Sequence, residues 1–326
     1  MATGEAALVA AARAGDAAAF AALVDGYRAE LHRHCYRMLG SAHDADDAVQ
    51  EALLRAWKAV RRFDGRQSVR PWLYRIATNR CLTMIEARGR RELPTDLSPG
   101  AAATEDTLWL EPYPDVRLGP EAAAVERESV ELAFVAALQE LSALQRAVLV
   151  LRAVLEFPAR EVAELLDTSV AAVNSALQRA RDVVARRGPA RSQRAELAEL
   201  GGGVRVLAER YARAWESGDV DAIVAMLADD VRLAMPPMAE CYVGPAAVAA
   251  ALGSGPIHHR WRLLPTMANG QLALAGYRWD DARGLYAGEG LDVLTLRDGR
   301  ISAITAFLVD DLEAYGLPRT LPGGSR

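Results

Sequence analysis

Cysteine is scarce in this 326-residue chain, and its three copies, Cys35, Cys81 and Cys241, lie far apart at no metal-ligand spacing. That excludes a disulfide framework or a zinc ribbon and fits a reducing compartment. No apolar run approaches the roughly 20 residues that a membrane helix needs. The opening MATGEAALVAAARAGD lacks the basic start and apolar core of a secretory signal. Lysine is almost missing: Lys58 is the only one among 38 basic residues, and alanine is abundant. A GC-rich genome produces that bias, so each arginine carries less meaning than usual. What is present is ordinary globular material, 51% hydrophobic with a formal net charge of −5. At roughly 100–200 residues per domain the length predicts about two or three domains. The expectation is a soluble, cytoplasmic protein with no metal and no cofactor.

The acidic total hides an uneven distribution. Residues 55–91 hold eleven basic side chains against two acids, Asp64 and Glu86, and residues 168–194 hold six arginines against Asp182 alone. Between them, residues 93–120 carry one basic and five acidic groups. Two basic stretches separated by an acidic connector suggest two surfaces for a polyanion, although solvated helix faces give similar runs.

Residues 5–92 read as helices. Asp16 is placed to cap AAAFAALVDGYRAELHRHCYRML, which ends at Gly40. In DADDAVQEALLRAWKAV, Val49, Leu53, Ala56 and Val60 recur at helical steps, leaving Asp47, Gln50, Leu54 and Arg55 on the other side. A third helix, PWLYRIATNRCLTMIEARGRR, follows the break FDGRQSVR. From Glu92 to Pro120 the period stops and prolines accumulate, which reads as a linker. Its WLEPYP aromatics are expected to pack on a domain of this chain. Further on, FPAREVAELLDTSVAAVNSALQRARDVVARR reads as two helices around a turn at Asp167–Ser169. The second has Val173, Ala176, Leu177, Ala180 and Val184 as its apolar stripe. The remaining positions are small, polar or basic, as a helix entering a major groove requires, but a plain packing hairpin has the same outline. After Gly201–Gly203 come helices over 204–227 and then short apolar runs. The turn Arg297-Asp298-Gly299-Arg300 marks a hairpin, and the whole reads as two helices with a meandering antiparallel sheet.

DADDAVQEALLRAW and SVRPWLYRIATNRCL resemble conserved region 2 of the bacterial extracytoplasmic-function sigma factors. LSALQRAVLVLRAVLEFPAREVAELLDTSVAAVNSALQRAR resembles their region 4. YARAWESGDVDAIVAMLADDVRLAMPP and RDGRISAITAFL resemble the SnoaL-like branch of the nuclear-transport-factor fold. WLEPYP is similar to a linker motif of sigma factors carrying that extra domain. The implied fold is multi-domain: two all-α sigma domains, the second a helix-turn-helix, and a C-terminal α+β SnoaL-like cone. The implied boundaries are region 2 over 1–92, an acidic Pro-rich linker over 93–120 and region 4 over 121–190. A Gly-rich linker over 191–203, the SnoaL-like domain over 204–318 and a tail over 319–326 follow.

The resemblance implies a transcription-initiation subunit. It binds the β′ clamp helices of core RNA polymerase, reads the −35 and −10 promoter elements, and helps open the DNA. By motif position the polymerase face comprises Asp47, Gln50, Glu51, Leu54 and Trp57, although Trp57 taken alone reads rather as core. The −10 and melting candidates are Arg66, Ser68, Arg70, Trp72, Asn79 and Arg80, with Trp72 and Tyr74 open to a structural role. The −35 candidates are Ser169, Ala171, Ala172, Asn174, Ser175, Gln178, Arg179 and Arg181. The extra domain is expected to regulate in cis, through contact of itself and the linker with the sigma domains. The other reading is a SnoaL-type isomerase, cyclase or hydrolase fused to a DNA-binding module, with Tyr211, His258, His259, Asp280 and Asp281 as its polar groups. Nothing in their spacing shows that these converge, so no catalytic residue is assigned. An ordinary repressor has no need of the DAVQE helix or the melting segment.

Overall fold

The computed structural model describes residues 2–63, 68–88, 91–92, 108–118, 127–187, 191–238 and 240–323. The chain divides into two compact units, Met1–Arg91 with Ala133–Gly188, and Glu92–Leu132 with Pro189–Arg326. Among the described residues no helix is long and apolar enough to cross a membrane, and no cluster of three metal-ligating side chains is found.

The first unit is helical. α1 (Ala2–Arg13) is followed by α2 (Ala17–Leu39), where Asp16 accepts the backbone N–H groups of Ala18 and Ala19 at 2.9 and 3.0 Å. Gly40 ends α2 at φ 71°, a left-handed conformation that favours glycine. α3 (Ala42–Ala59) starts two residues before the expected DADDAVQ, because Ser41 caps it by accepting the Asp44 N–H. α4 (Val69–Arg88) completes the first group of helices.

The second group of helices comprises α5 (Leu132–Gln139), α6 (Ala143–Leu149), α7 (Ala159–Leu165) and α8 (Val170–Arg187). Ser142 and Gln145 form a reciprocal capping box that starts α6. A widened turn at Val150–Val154 then extends α6. One buried cation joins the two groups of helices within this unit. Arg146 donates to the carbonyl of Met38 at the end of α2, to Gln139 Oε1 at 2.6 Å, and to the carbonyls of Gln139 and Leu141.

The second unit holds a seven-stranded sheet. Helix α9 (Gln193–Leu200) lies inside the segment expected as a Gly-rich linker. Ser192 caps it and Gly201 ends it at φ 50°. Gln193 fastens it to the sheet, exchanging hydrogen bonds with the backbone N–H and carbonyl of Leu296. α10 (Gly203–Ser217) and α11 (Val220–Val224) precede β1 (Leu227–Ala234) and β2 (Cys241–Val243). α12 (Pro245–Gly253) leads into β3 (Trp261–Ala268), β4 (Gln271–Asp280), β5 (Leu285–Arg297) and β6 (Arg300–Leu308), with a short β7 (Thr320–Pro322) paired to β5.

Strand order is β2-β1-β6-β5-β4-β3. The expected antiparallel meander holds from β3 to β6, and Asp298 and Gly299 make the β5–β6 turn at φ 53° and 74°. The sheet is nevertheless mixed. β1 joins β6 in parallel, because the chain returns to that edge through α12 and β3 to β5 rather than by a hairpin.

The sheet buries both faces. Leu274, Leu294 and Ile304 meet Leu207, Tyr211 and Ile223 on the helical side. Ala273, Val293 and Phe307 meet Leu312 and Tyr315 on the other. The linker aromatics dock inside this unit. Leu110 and Tyr113 are buried, Pro114 bridges to Ala268, and Tyr315 Oη donates to the Pro112 carbonyl at 3.1 Å. Asn269, in the β3–β4 turn at φ 56°, holds this segment at Tyr113 and the chain further on at Val130. Its backbone N–H donates to the Tyr113 carbonyl at 2.9 Å, its Oδ1 accepts the Tyr113 N–H at 2.8 Å, and its Nδ2 donates to the Val130 carbonyl at 2.7 Å.

Glu131, 2% exposed, accepts the N–H groups of Gln193 and Arg194 at the start of α9. Burial outweighs those bonds and pushes its carboxyl up to about 7. The folded unit therefore keeps a proton that the unfolded chain releases near pH 4.3. Between those values unfolding releases a proton, so this group's contribution falls as pH rises through the window. Glu131→Gln is expected to remove about 2 kcal/mol of the stability difference between pH 5 and pH 8. Denaturant titrations of both proteins at each pH check this. An unchanged pH slope in the variant would assign the dependence to other groups.

Candidate nucleic-acid and partner interfaces

The apolar stripe of α3 sinks Val49, Leu53 and Ala56 into the core, which leaves its other side free of packing duty. Asp47 and Gln50 are exposed there, and Leu54 is 50% exposed. Glu51, half-buried, accepts from Arg55 Nε at 2.8 Å, and that contact holds its carboxyl below the usual range. Trp57 is half-buried and tilts against Phe20 with ring centroids 5.1 Å apart. With Phe20 and Arg28 of α2, Gln50, Leu54 and Trp57 line a shallow groove, while Asp47 and Glu51 lie outside its lining. All five polymerase-face candidates thus share one side of one helix.

The α4 candidates divide. Arg66 lies outside the described residues. Ser68 and Asn79 are exposed, and Arg80 is half-buried with its Nε unpartnered. Trp72 is half-buried and packs on Phe63 at 4.8 Å, while Tyr74 is fully buried, which settles it as core. Arg70 is already engaged. It donates to Glu30 at 3.2 Å and its guanidinium lies over the rings of Tyr74 and Phe157 at 5.1 and 4.8 Å. Arg75, which the motif comparison passes over, is exposed and pairs with Asp167 at 3.0 and 3.2 Å. Asp167 belongs to the turn before α8, so in this conformation α4 and the hairpin turn are clasped together.

Ser169 Oγ caps α8 by accepting the Ala172 N–H at 3.1 Å. Asp167, at φ 49°, makes the tight turn. Val173, Ala176, Leu177 and Ala180 are buried and Val184 is half-buried. Ser169, Ala171, Asn174, Ser175, Gln178, Arg179 and Arg181 are all exposed, and Ala172 is half-buried. Gln178 Nε2 donates to Asp182 at 3.1 Å. Two small residues at the helix start, followed by amide and guanidinium groups on the same side, suit close approach to a groove.

The polar groups considered for the C-terminal domain do not meet. Asp280 caps its own turn by accepting the N–H groups of Ala282 and Arg283, and Asp281 accepts from Trp279 Nε1. His258 is exposed beside the Gly253 carbonyl. His259 reaches a cavity of about 370 Å³ that Trp215, Met235, Trp261, Leu263 and Asp292 also line. Tyr211 stands behind that wall and donates to Asp292 Oδ2 at 2.9 Å. Burial pushes the Asp292 carboxyl up to about 6, with the Tyr211 bond working against it. Burial also pushes the Tyr211 hydroxyl up. The Asp292 charge adds to this, and the nearby Trp215 N–H offsets part of it. Sequence reasoning missed Asp292. The available signal was its phase in LDVLTLR, where it shares a strand face with Leu294 and Leu296.

Three sequence families match the chain: Sigma-70 region 2 over residues 23–91, Sigma-70 region 4 over 131–182 and the SnoaL-like domain over 208–304. The ECF RNA polymerase sigma factor SigG of Mycobacterium tuberculosis H37Rv is 43% identical over 328 aligned residues, covering 95% of this chain and 86% of that protein. ECF RNA polymerase sigma factor SigW of Bacillus subtilis is 35% identical, covering 52% of this chain and 89% of its own length. Among solved structures, the extracytoplasmic function sigma factor SigJ of Mycobacterium tuberculosis superposes with a TM-score of 0.59 at 24% identity, covering 90% of this chain and all of SigJ. That last likeness is one of fold.

Proposed function

The chain belongs to the extracytoplasmic-function sigma factors of RNA polymerase, and from that premise we propose which surfaces carry each step and how the C-terminal domain takes part. The outer side of α3, with Asp47, Gln50, Glu51, Leu54 and Trp57, docks on the β′ clamp helices of core polymerase. An exposed leucine and a half-exposed tryptophan ringed by polar groups suit a specific, reversible interface. The exposed side of α8 reads the −35 element, with Asn174, Gln178, Arg179 and Arg181 contacting base edges and phosphates. Ser68, just before α4, and Asn79 and Arg80 of α4 meet the −10 element, together with Arg66. Arg70 and Trp72 join them once the clasp of Arg70 on Phe157 and of Arg75 on Asp167 is released.

The C-terminal domain regulates in cis by holding the linker that connects region 2 to region 4. Asn269 is the centre of that hold. The domain acts as a regulatory module and not as a catalyst. The observation that carries the promoter reading is the division of α8, whose apolar stripe is buried while its −35 candidates face outward.

In vitro transcription with core polymerase and the full chain tests it. Asn174→Ala with Gln178→Ala is expected to reduce discrimination between a matched and a mutated −35 element by about tenfold. Equal discrimination by variant and parent would remove α8 from base reading.

A further inference from the structure

We propose that the cavity of the C-terminal domain binds a small, planar, mostly apolar molecule whose ring hydroxyl donates a hydrogen bond to Asp292. The inference starts from the floor of the cavity. Gly276 on β4 and Gly290 on β5 are register partners, and both line it. A Cβ on Gly276 would lie 3.4 Å from the Trp261 ring, and one on Gly290 would lie 2.6 Å from the Phe307 carbonyl. The paired glycines leave a flat patch of sheet without side chains. Trp215 and Trp261 stand over it edge to face, with centroids 5.7 Å apart.

The cavity opens to solvent on one side, and its volume of about 370 Å³ falls in the range of ligand sites. Its size suits a molecule of about two fused rings. The flat floor and indole walls favour a planar one.

Asp292 is the polar group on the inward face of the sheet, and Glu289 and His259 also line the cavity. Asp292 lies in phase with Leu294 and Leu296 on a face that is otherwise apolar, where leucine or valine would pack at no electrostatic cost. Tyr211 occupies Oδ2. Among the described residues no donor reaches Oδ1. A carboxylate with one oxygen fixed by tyrosine and the other turned to an apolar cavity selects a donor on the ligand. It disfavours an anion.

Calorimetric titration of the full-length chain with 2-naphthol and with naphthalene tests the assignment on protein alone, so its outcome is independent of any result on transcription. 2-Naphthol is expected to bind about tenfold or more tightly than naphthalene, the preference a single hydrogen bond to a charged group supplies. Asp292→Asn replaces the charged acceptor with a neutral amide and is expected to reduce that preference severalfold while naphthalene binding stays. No heat from 2-naphthol up to its solubility limit, or an undiminished preference in the variant, would overturn the proposal. If Asp292→Asn does not fold, Ala306→Phe serves instead. It fills the cavity from β6 and is expected to eliminate binding of both compounds, and retained binding there would place the site elsewhere.

Discussion

Leu54→Asp is expected to cut promoter-specific transcription about a hundredfold while lowering the melting temperature of the protein by only about 1–2 °C. The two halves of that expectation come from separate observations. Leu54 is 50% exposed on the outer side of α3, so the substitution takes little from the core, and helices tolerate the exchange at a cost of about 0.5 kcal/mol. In a docked interface the same position becomes desolvated, and an unpaired carboxylate there costs about 3 kcal/mol, equivalent to about a hundredfold in affinity. Lys58 one turn away keeps an aspartate tolerable in the free protein but cannot follow it into an apolar contact. Transcription with core polymerase, run beside a binding assay for core, reads both halves. Normal core binding by Leu54→Asp would remove the α3 groove from the polymerase interface.

The helical parts are legible in the sequence for a physical reason. A 3.6-residue period sorts α3 and α8 into a buried stripe and an outer face, and neither helix needs distant residues to do so. The same holds for Asp16, Gly40 and the Asp298–Gly299 turn, each a local device. What local patterns do not reveal are contacts made across long sequence separations. WLEPYP is readable as docking somewhere in the chain, yet its partner Asn269 lies 156 residues from Tyr113. Gly201–Gly203 reads as a hinge, whereas Gly201 only closes α9, whose attachment to Leu296 depends on the single side chain of Gln193.

Asp292 escapes for a related reason. A carboxylate on a strand ordinarily marks the solvent face, and only the helix that brings Tyr211 over the sheet makes that position inward. Arg70 shows the converse: its motif position suggests a free DNA contact, while Glu30 and Phe157 already hold it.

The second large effect concerns Arg146, which is 1% exposed and sits where α2 ends and α6 begins. Its four acceptors are three backbone carbonyls and the Gln139 side chain. The Met38 and Gln139 carbonyls lie in the last turns of their helices, where no intrahelical donor is available. Burial pulls the guanidinium down to about 10, so the site bears a desolvation cost that the acceptors must offset. Removing the side chain relieves that cost but strands the acceptors at about 1–3 kcal/mol each, and alanine adds a cavity as well. The acceptors outnumber the charge they satisfy, so the balance is destabilising. Arg146→Ala is expected to lose about 4 kcal/mol, and Arg146→Met, which refills the volume without a donor, about 2 kcal/mol.

Urea titrations of the full chain, followed by helical circular dichroism, check both values. Two equally damaging variants would assign the loss to the hydrogen bonds alone. A methionine variant as stable as the parent would mean that the carbonyls gain nothing from the cation.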